Sequence, residues 1–243
     1  MDNFFEELEK PKTKDEILLE KKAKFYKPVD DALLKQSGFE LNKVYNADCL
    51  EIMRSMPDKC IDLVITDPPY GLERFKKGGS HVNKYGTEKQ EWNNVKPTKE
   101  LFDEIFRISK NQIIFGMNNF TLPETEYFIV WKKSNAFDFS FAMCELAWTN
   151  IKKPAKIFEY LHVQNNEKRE HPTQKPVALF SWILKNYAKP NDIIFDPFAG
   201  SGTTAISCMQ MDHPYILVEK EKDYYDIIMK RIDKQKKDLV ALF

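Results

Sequence analysis

The chain has 243 residues, 42% of them hydrophobic and 30% charged, which is the balance of a folded globular protein with room for one substantial core. Acidic and basic side chains cancel, 37 against 37. A net charge of zero excludes binding to nucleic acid by bulk electrostatics and leaves a local basic face as the feature to find.

Residues 1–42 are charge-rich and helix-prone, with Ile17, Leu18 and Leu19 as their main apolar cluster, and read as a solvated helical extension. The acidic start lacks a basic region followed by an apolar core, so no secretory signal is expected. No apolar run approaches a membrane span. The cysteines Cys49, Cys60, Cys144 and Cys208 are scattered without a C-x-x-C pair, as reduced thiols of a cytoplasmic protein would be. The four histidines have no metal-ligand spacing, so no metal is expected.

From residue 43 onward, strand-like and helix-like segments alternate. Short apolar runs at 44–47, 61–66, 112–115, 127–131, 144–148, 193–195 and 215–218 read as strands, several buried on both faces. Helical periods separate them: Leu101, Phe102, Ile105, Phe106 and Ile108; then Val177, Leu179, Phe180, Ile183 and Leu184 behind Pro176; then Tyr224, Ile227, Ile228 and Ile232. This alternation predicts an α/β fold, a doubly wound and mostly parallel seven-stranded sheet in one domain over 43–243. Two polar, basic stretches interrupt it, about 71–99 and about 150–170.

Two constellations carry chemistry. Asp67-Pro68-Pro69-Tyr70 follows the strand at 61–66, and ligands of open α/β sheets bind beyond the carboxyl ends of strands. Two prolines withhold N–H donors, so the turn offers carbonyl oxygens and one carboxylate to a group that donates two hydrogen bonds, such as NH2. Tyr70 adds a face for a planar ring. For Asp-Pro-Pro alone, a merely structural Pro-rich turn is an equal reading; the full run after a buried strand is more specific. The second constellation is Asp196-Pro197-Phe198-Ala199-Gly200-Ser201-Gly202-Thr203-Thr204-Ala205, running from a strand into a helix, with Glu219 ending the next strand. The missing Lys excludes a P-loop, while G-x-G-x-x-A fits a nucleoside-binding turn and Glu219 a ribose diol. Only about forty residues follow, too few for the second half of a dinucleotide domain.

With both constellations and His171-Pro172-Thr173-Gln174-Lys175-Pro176 between them, residues 43–243 resemble the permuted β group of S-adenosylmethionine-dependent DNA amino-methyltransferases. The resemblance implies the methyltransferase fold, S-adenosylmethionine as cofactor, double-stranded DNA with a flipped adenine as substrate, and methylation at N6. Asp67, Pro68, Pro69 and Tyr70 then form the catalytic turn. Asp48, Cys49, Asp67, Thr173, Lys175, Asp196, Phe198, Gly200, Ser201, Gly202, Thr203 and Glu219 line the cofactor, with Thr173 and Lys175 near its methionine end. Asp48 also reads as a helix N-cap, and Glu145 matches a family residue of mainly structural role.

Arg74, Lys76, Lys77 and Lys84 in the 71–99 loop, with Lys152 and Lys153, are the expected DNA contacts; a solvated surface is the alternative for each. The 150–170 segment, where the group reads its target, has about twenty residues. A site of about two to four base pairs, or reach gained by forming a homodimer, is therefore expected. A partner restriction endonuclease is compatible with the family. Cytosine N4 or RNA as target, an inactive DNA-binding regulator and, distantly, a nicotinamide oxidoreductase remain open readings.

Overall fold

The computed structural model describes residues 30–71, 96–133, 142–160 and 174–240. Eight strands form one sheet: β1 (Lys43–Tyr45), β2 (Ile61–Thr66), β3 (Ser109–Phe115), β4 (Phe128–Lys133), β5 (Cys144–Thr149), β6 (Lys156–Tyr160), β7 (Ile194–Asp196) and β8 (Tyr215–Val218). Their order is β1-β8-β7-β2-β3-β5-β4-β6. β5 is antiparallel to both β3 and β4, and every other pairing is parallel.

The described helices are α1 (Ala32–Gln36), α2 (Cys49–Ser55), α3 (Lys99–Ile108), α4 (Val177–Tyr187), α5 (Thr203–Met211) and α6 (Lys222–Val240). α3 starts where the Thr98 side chain accepts the Leu101 N–H, and buries Leu101, Phe102, Ile105 and Ile108 of the predicted stripe, with Phe106 only half-buried. β2 is apolar because both faces are covered. Leu63 and Ile65 join the core under α4, α5 and α6, whereas Ile61 and Val64 join the core under α1, α2 and α3.

Three expectations need correction. The sheet has eight strands rather than seven. The extra one, β6, lies in the stretch read as a recognition segment, where Lys156 and Glu159 mask its alternation as polar sequence. The end of the presumed solvated extension packs on the domain, since Leu34 and Phe39 are buried. Residues 150–155 also lie at the wrong end for a recognition role beside Asp67. β5 runs against its neighbours, so the chain leaves Thr149 toward the amino-terminal ends of the parallel strands, where Asn150 bonds to Gln112 and Lys110 of β3 and Lys153 reaches Asn186 near the end of α4.

No described helix is long and apolar enough to cross a membrane. Among the described residues no cluster of metal-ligating side chains occurs.

Candidate active site

β2 and β7 are adjacent, but the chain turns from β2 toward β3 on one side and from β7 toward β8 on the other. A crevice opens where such connections diverge. Both Asp-Pro turns stand there, one after each strand.

A cavity of about 480 Å³, within the range of small-molecule sites, runs between them. Asp67, Lys175, Phe198, Gly200, Thr203 and Glu219 are among its walls, as are Asp48 and Cys49. A larger but shallow depression of about 780 Å³ lies at the opposite edge, around Lys59, Lys110 and Trp148. Its lysines are committed elsewhere, Lys110 to Asp62 and Lys59 to the Phe106 and Ser109 carbonyls. The chemistry-bearing residues gather in the smaller cavity.

The second turn is held from within. Asp196 is buried and accepts from the Thr66 hydroxyl at 3.0 Å, the Phe198 N–H at 3.0 Å and the Thr204 hydroxyl at 2.5 Å. Burial outweighs these bonds and pushes its pKa up to about 6. Glu219 accepts the Gly200 and Glu221 N–H groups, one on each oxygen, and each oxygen keeps acceptor capacity. Its burial raises its pKa to about 7.

Thr203 donates to the Lys175 carbonyl, joining the turn to the segment before α4. Ser201, also on the cavity wall, accepts from Arg231 of α6. Gly202, between Ser201 and Thr203, is not itself on the wall. Its φ is +79°, and a Cβ there would meet the Ile228 side chain at 2.8 Å. A left-handed bend and close packing on α6 demand this glycine.

At the near rim, Asp48 caps α2 by accepting from Leu50 N–H at 2.9 Å and pairs with Lys220 at 3.1 Å. Partial burial works against its charge, but Lys220 and the N–H bond hold its pKa below the usual carboxylate value. Burial pushes the Cys49 thiol up to about 12, so this residue offers a neutral, apolar surface.

The first turn is held by charge. Asp67, with its side chain 18% exposed, accepts the Tyr70 hydroxyl on one oxygen at 2.6 Å and meets the Lys175 ammonium with the other at 2.5 Å. Lys175 is 6% exposed and also pairs with Glu145 at 2.9 Å, and Glu145 pairs in turn with Lys133. The Tyr70 ring rests on Gly116, where a Cβ would stand 2.2 Å from it, and meets the edge of Phe120.

Burial raises the Asp67 pKa, with Glu145 adding to the rise and Lys175 and Tyr70 opposing it. Glu145 is buried too, but Lys175 and Lys133 bring it down to about 2. Burial alone would lower Lys175; its two carboxylates raise it, so it stays protonated. Sequence reasoning set Glu145 apart as structural and placed Lys175 at the cofactor. The structure joins both to Asp67 in one network.

The expected basic contacts fare differently. Arg74, Lys76, Lys77 and Lys84 lie outside the described residues, as does Thr173. Lys152 is exposed and Lys153 donates to the Asn186 carbonyl at the end of α4, both on the edge opposite Asp67. The geometry does not bring that pair to the cavity.

A family model described as DNA methylase, of the N6/N4 methyltransferases, matches residues 122–230. Together with the chain's relatives, this match supports an S-adenosylmethionine-dependent DNA amino-methyltransferase. Among curated relatives, type II methyltransferase M.HinfI of Haemophilus influenzae is 25% identical, with 79% of this chain and 68% of the relative aligned. M.BglII of Bacillus subtilis is 26% identical over 77% of this chain and 68% of its own length.

The fold is shared with the M1.HpyAVI–SAM complex (TM-score 0.53, 24% identity, 78% of this chain and 98% of that one). It is also shared with the cytosine-N4-specific PvuII methyltransferase (TM-score 0.55, 15% identity, 80% and 90%). These likenesses favour a methyltransferase over the nicotinamide reading of the Gly200 turn.

Proposed function

We propose that this DNA amino-methyltransferase acts on N6 of adenine, flipped out of a duplex, with Asp67 receiving the target amine. The observation that carries the reading is the convergence of Asp67 with the Gly200–Thr204 turn and Glu219 around one cavity at the switch point of the sheet. The cavity suits the cofactor in size and in chemistry: an acceptor pair on Glu219 for a diol, apolar walls from Cys49 and Phe198, and a carboxylate at the far end. Glu219 would hold the ribose, Asp48 and Phe198 the adenine side, and the 200–204 turn the centre.

When bound, S-adenosylmethionine supplies a methyl group already activated on a sulfonium. The protein's task is alignment, worth about 7–11 kcal/mol in favourable cases. The target nitrogen is a poor nucleophile because its lone pair is delocalised into the ring. Asp67 and the Pro68 carbonyl each accept one of its N–H groups, which favours a more tetrahedral nitrogen with an available lone pair. The Asp67 carboxylate then stabilises the positive charge developing on that nitrogen.

The cavity lies inside the crevice, so a base reaches it only outside the stack, at a cost of a few kcal/mol. Stacking on Tyr70 offsets about 1–3 kcal/mol of that. Aspartate at the first position of the turn favours adenine, because family members acting on cytosine more often carry serine there. Gly71 and Lys96, which flank residues 72–95 in the chain, meet at the cavity mouth. This supports phosphate contact by the basic residues between them.

Expressing the chain in methylation-free cells and reading the native DNA with modification-sensitive sequencing tests the proposal. N6-methyladenine in a short context is the expected result. N4-methylcytosine, or unmodified DNA with methylated RNA, would overturn the choice of base or polymer.

A further inference from the structure

Lys175 is the feature that the cofactor reading does not explain. Four separate elements bring charged groups to one buried point: Asp67 after β2, Lys133 at the end of β4, Glu145 on β5 and Lys175 before α4. The Lys175 ammonium lies between two carboxylates. Its other neighbours are rings, with Phe115 at 5.0 Å, Tyr70 at 5.9 Å and Trp131 at 6.0 Å from Nζ to centroid. A buried ammonium without partners costs several kcal/mol, so the pairing with Asp67 and Glu145 is what keeps it there.

We propose that Lys175 is a positioning residue for Asp67: clamped by Glu145, it holds the catalytic carboxylate in its acceptor-only form and fixes which of its oxygens faces the target amine. This rests on the assignment of Asp67 as the group that receives the amine.

Several charged or titratable groups face Asp67. Lys175 and the Tyr70 hydroxyl touch it, Glu145 stands behind Lys175, Lys133 stands behind Glu145, and Asp196 lies across Thr66. Glu145 and Asp196 are anions that oppose a charge on Asp67, and burial opposes it too. Of the cations, Lys133 contacts Glu145, and Lys175 alone among the described residues makes an ion pair with Asp67. Remove Lys175, and two carboxylates remain close together in a largely dry site, where one tends to hold a proton. A protonated Asp67 has an O–H donor where the amine needs an acceptor.

The test uses the full-length protein with Lys175→Met, Lys175→Arg, Glu145→Gln and the double variant Lys175→Met/Glu145→Gln. Calorimetry measures S-adenosylmethionine affinity. Single-turnover transfer to a DNA duplex is followed from pH 5.5 to 9.5. Lys175→Met should bind cofactor within about threefold of wild type yet lose about 100-fold in rate at pH 7, and its acid limb should move up by about one pH unit or more. Lys175→Arg, which keeps the charge, should keep the limb near its wild-type position. The double variant should regain about tenfold over Lys175→Met at pH 7, because the opposing anion is gone.

Loss of cofactor affinity in Lys175→Met with an unmoved pH limb would overturn the proposal and return Lys175 to the cofactor. A rate loss equal at every pH and not relieved by Glu145→Gln would overturn it in favour of a packing role. Should Lys175→Met fail to fold, Glu145→Gln decides alone. It should move the acid limb downward, and an unmoved limb would overturn the proposal. Wild-type transfer to cytosine or RNA instead would refute the adenine reading, while the limb remains measurable on that substrate.

Discussion

Two Asp-Pro turns lie side by side at the centre of the sheet, one after β2 and one after β7, and they hold their carboxylates in contrasting ways. Asp196 is surrounded by neutral donors, two hydroxyls and one backbone N–H, all from its own turn or the next strand. Asp67 is held by a cation 108 positions away and by a phenol. Neutral donors on both oxygens turn the Asp196 carboxylate into a fastener for the backbone. An ammonium on one oxygen and a phenol on the other leave acceptor capacity facing the cavity. The same dipeptide thus becomes a clamp in one place and, in the proposed mechanism, a reagent in the other, according to what surrounds it.

Substitution should separate the two most sharply at the carboxylates themselves. Asp67→Ala should reduce methyl transfer by about 1,000-fold or more, equivalent to about 4 kcal/mol of transition-state stabilisation, while leaving cofactor affinity within a few fold. Tritiated methyl incorporation near wild type would end the distinction between the turns.

Asp196→Ala should instead act on the fold. It leaves the Thr66 and Thr204 hydroxyls and the Phe198 N–H without their acceptor, a loss of about 3 kcal/mol in stability by urea unfolding. A stable Asp196→Ala protein that binds cofactor normally would show that the turn does not depend on its clamp.

Gly202→Ala sharpens the same point. The left-handed backbone and the Ile228 side chain should cost about 1–3 kcal/mol in stability, yet the folded fraction should bind cofactor with little change. Strongly weakened binding in a fully folded Gly202→Ala would put the ligand back at that glycine.

The smallest effect is a proton count at Glu219. Its pKa stands at about 7 in the free protein, and hydrogen bonds from a ribose diol favour the ionised form, so binding should lower it. Cofactor binding should then release about half a proton at pH 7 and more at pH 6, with affinity falling as pH falls. Calorimetry in buffers of different ionisation enthalpy measures this, and zero release at both pH values would place the diol elsewhere.

Both turns were readable from sequence because each is continuous: an apolar strand, an Asp-Pro, then the residues that follow. Asp48 as a helix cap and the alternation that gives a doubly wound sheet were readable for the same reason. The charge network around Asp67 was not, because Lys175 and Glu145 reach it from distant segments and no local pattern marks an ion pair. The glycine spacing at Gly202 is local and readable, whereas its packing neighbour, Ile228, comes from α6 and is not. Lys152 and Lys153 were misplaced because charge can be read from sequence and strand direction cannot. β6 went unseen for a related reason, since an edge strand with half-exposed faces resembles a polar loop.

The reversal of β5 also sorts the molecule into a working edge and a handling edge. Cys144, an exposed thiol, opens β5 at the same edge as Asp67, so a maleimide label on the natural chain would crowd the DNA side. Lys152 lies on the other edge. A chain with Cys144→Ser and Lys152→Cys could therefore be tethered to a surface or carry a dye for single-molecule work, with its cavity facing solution.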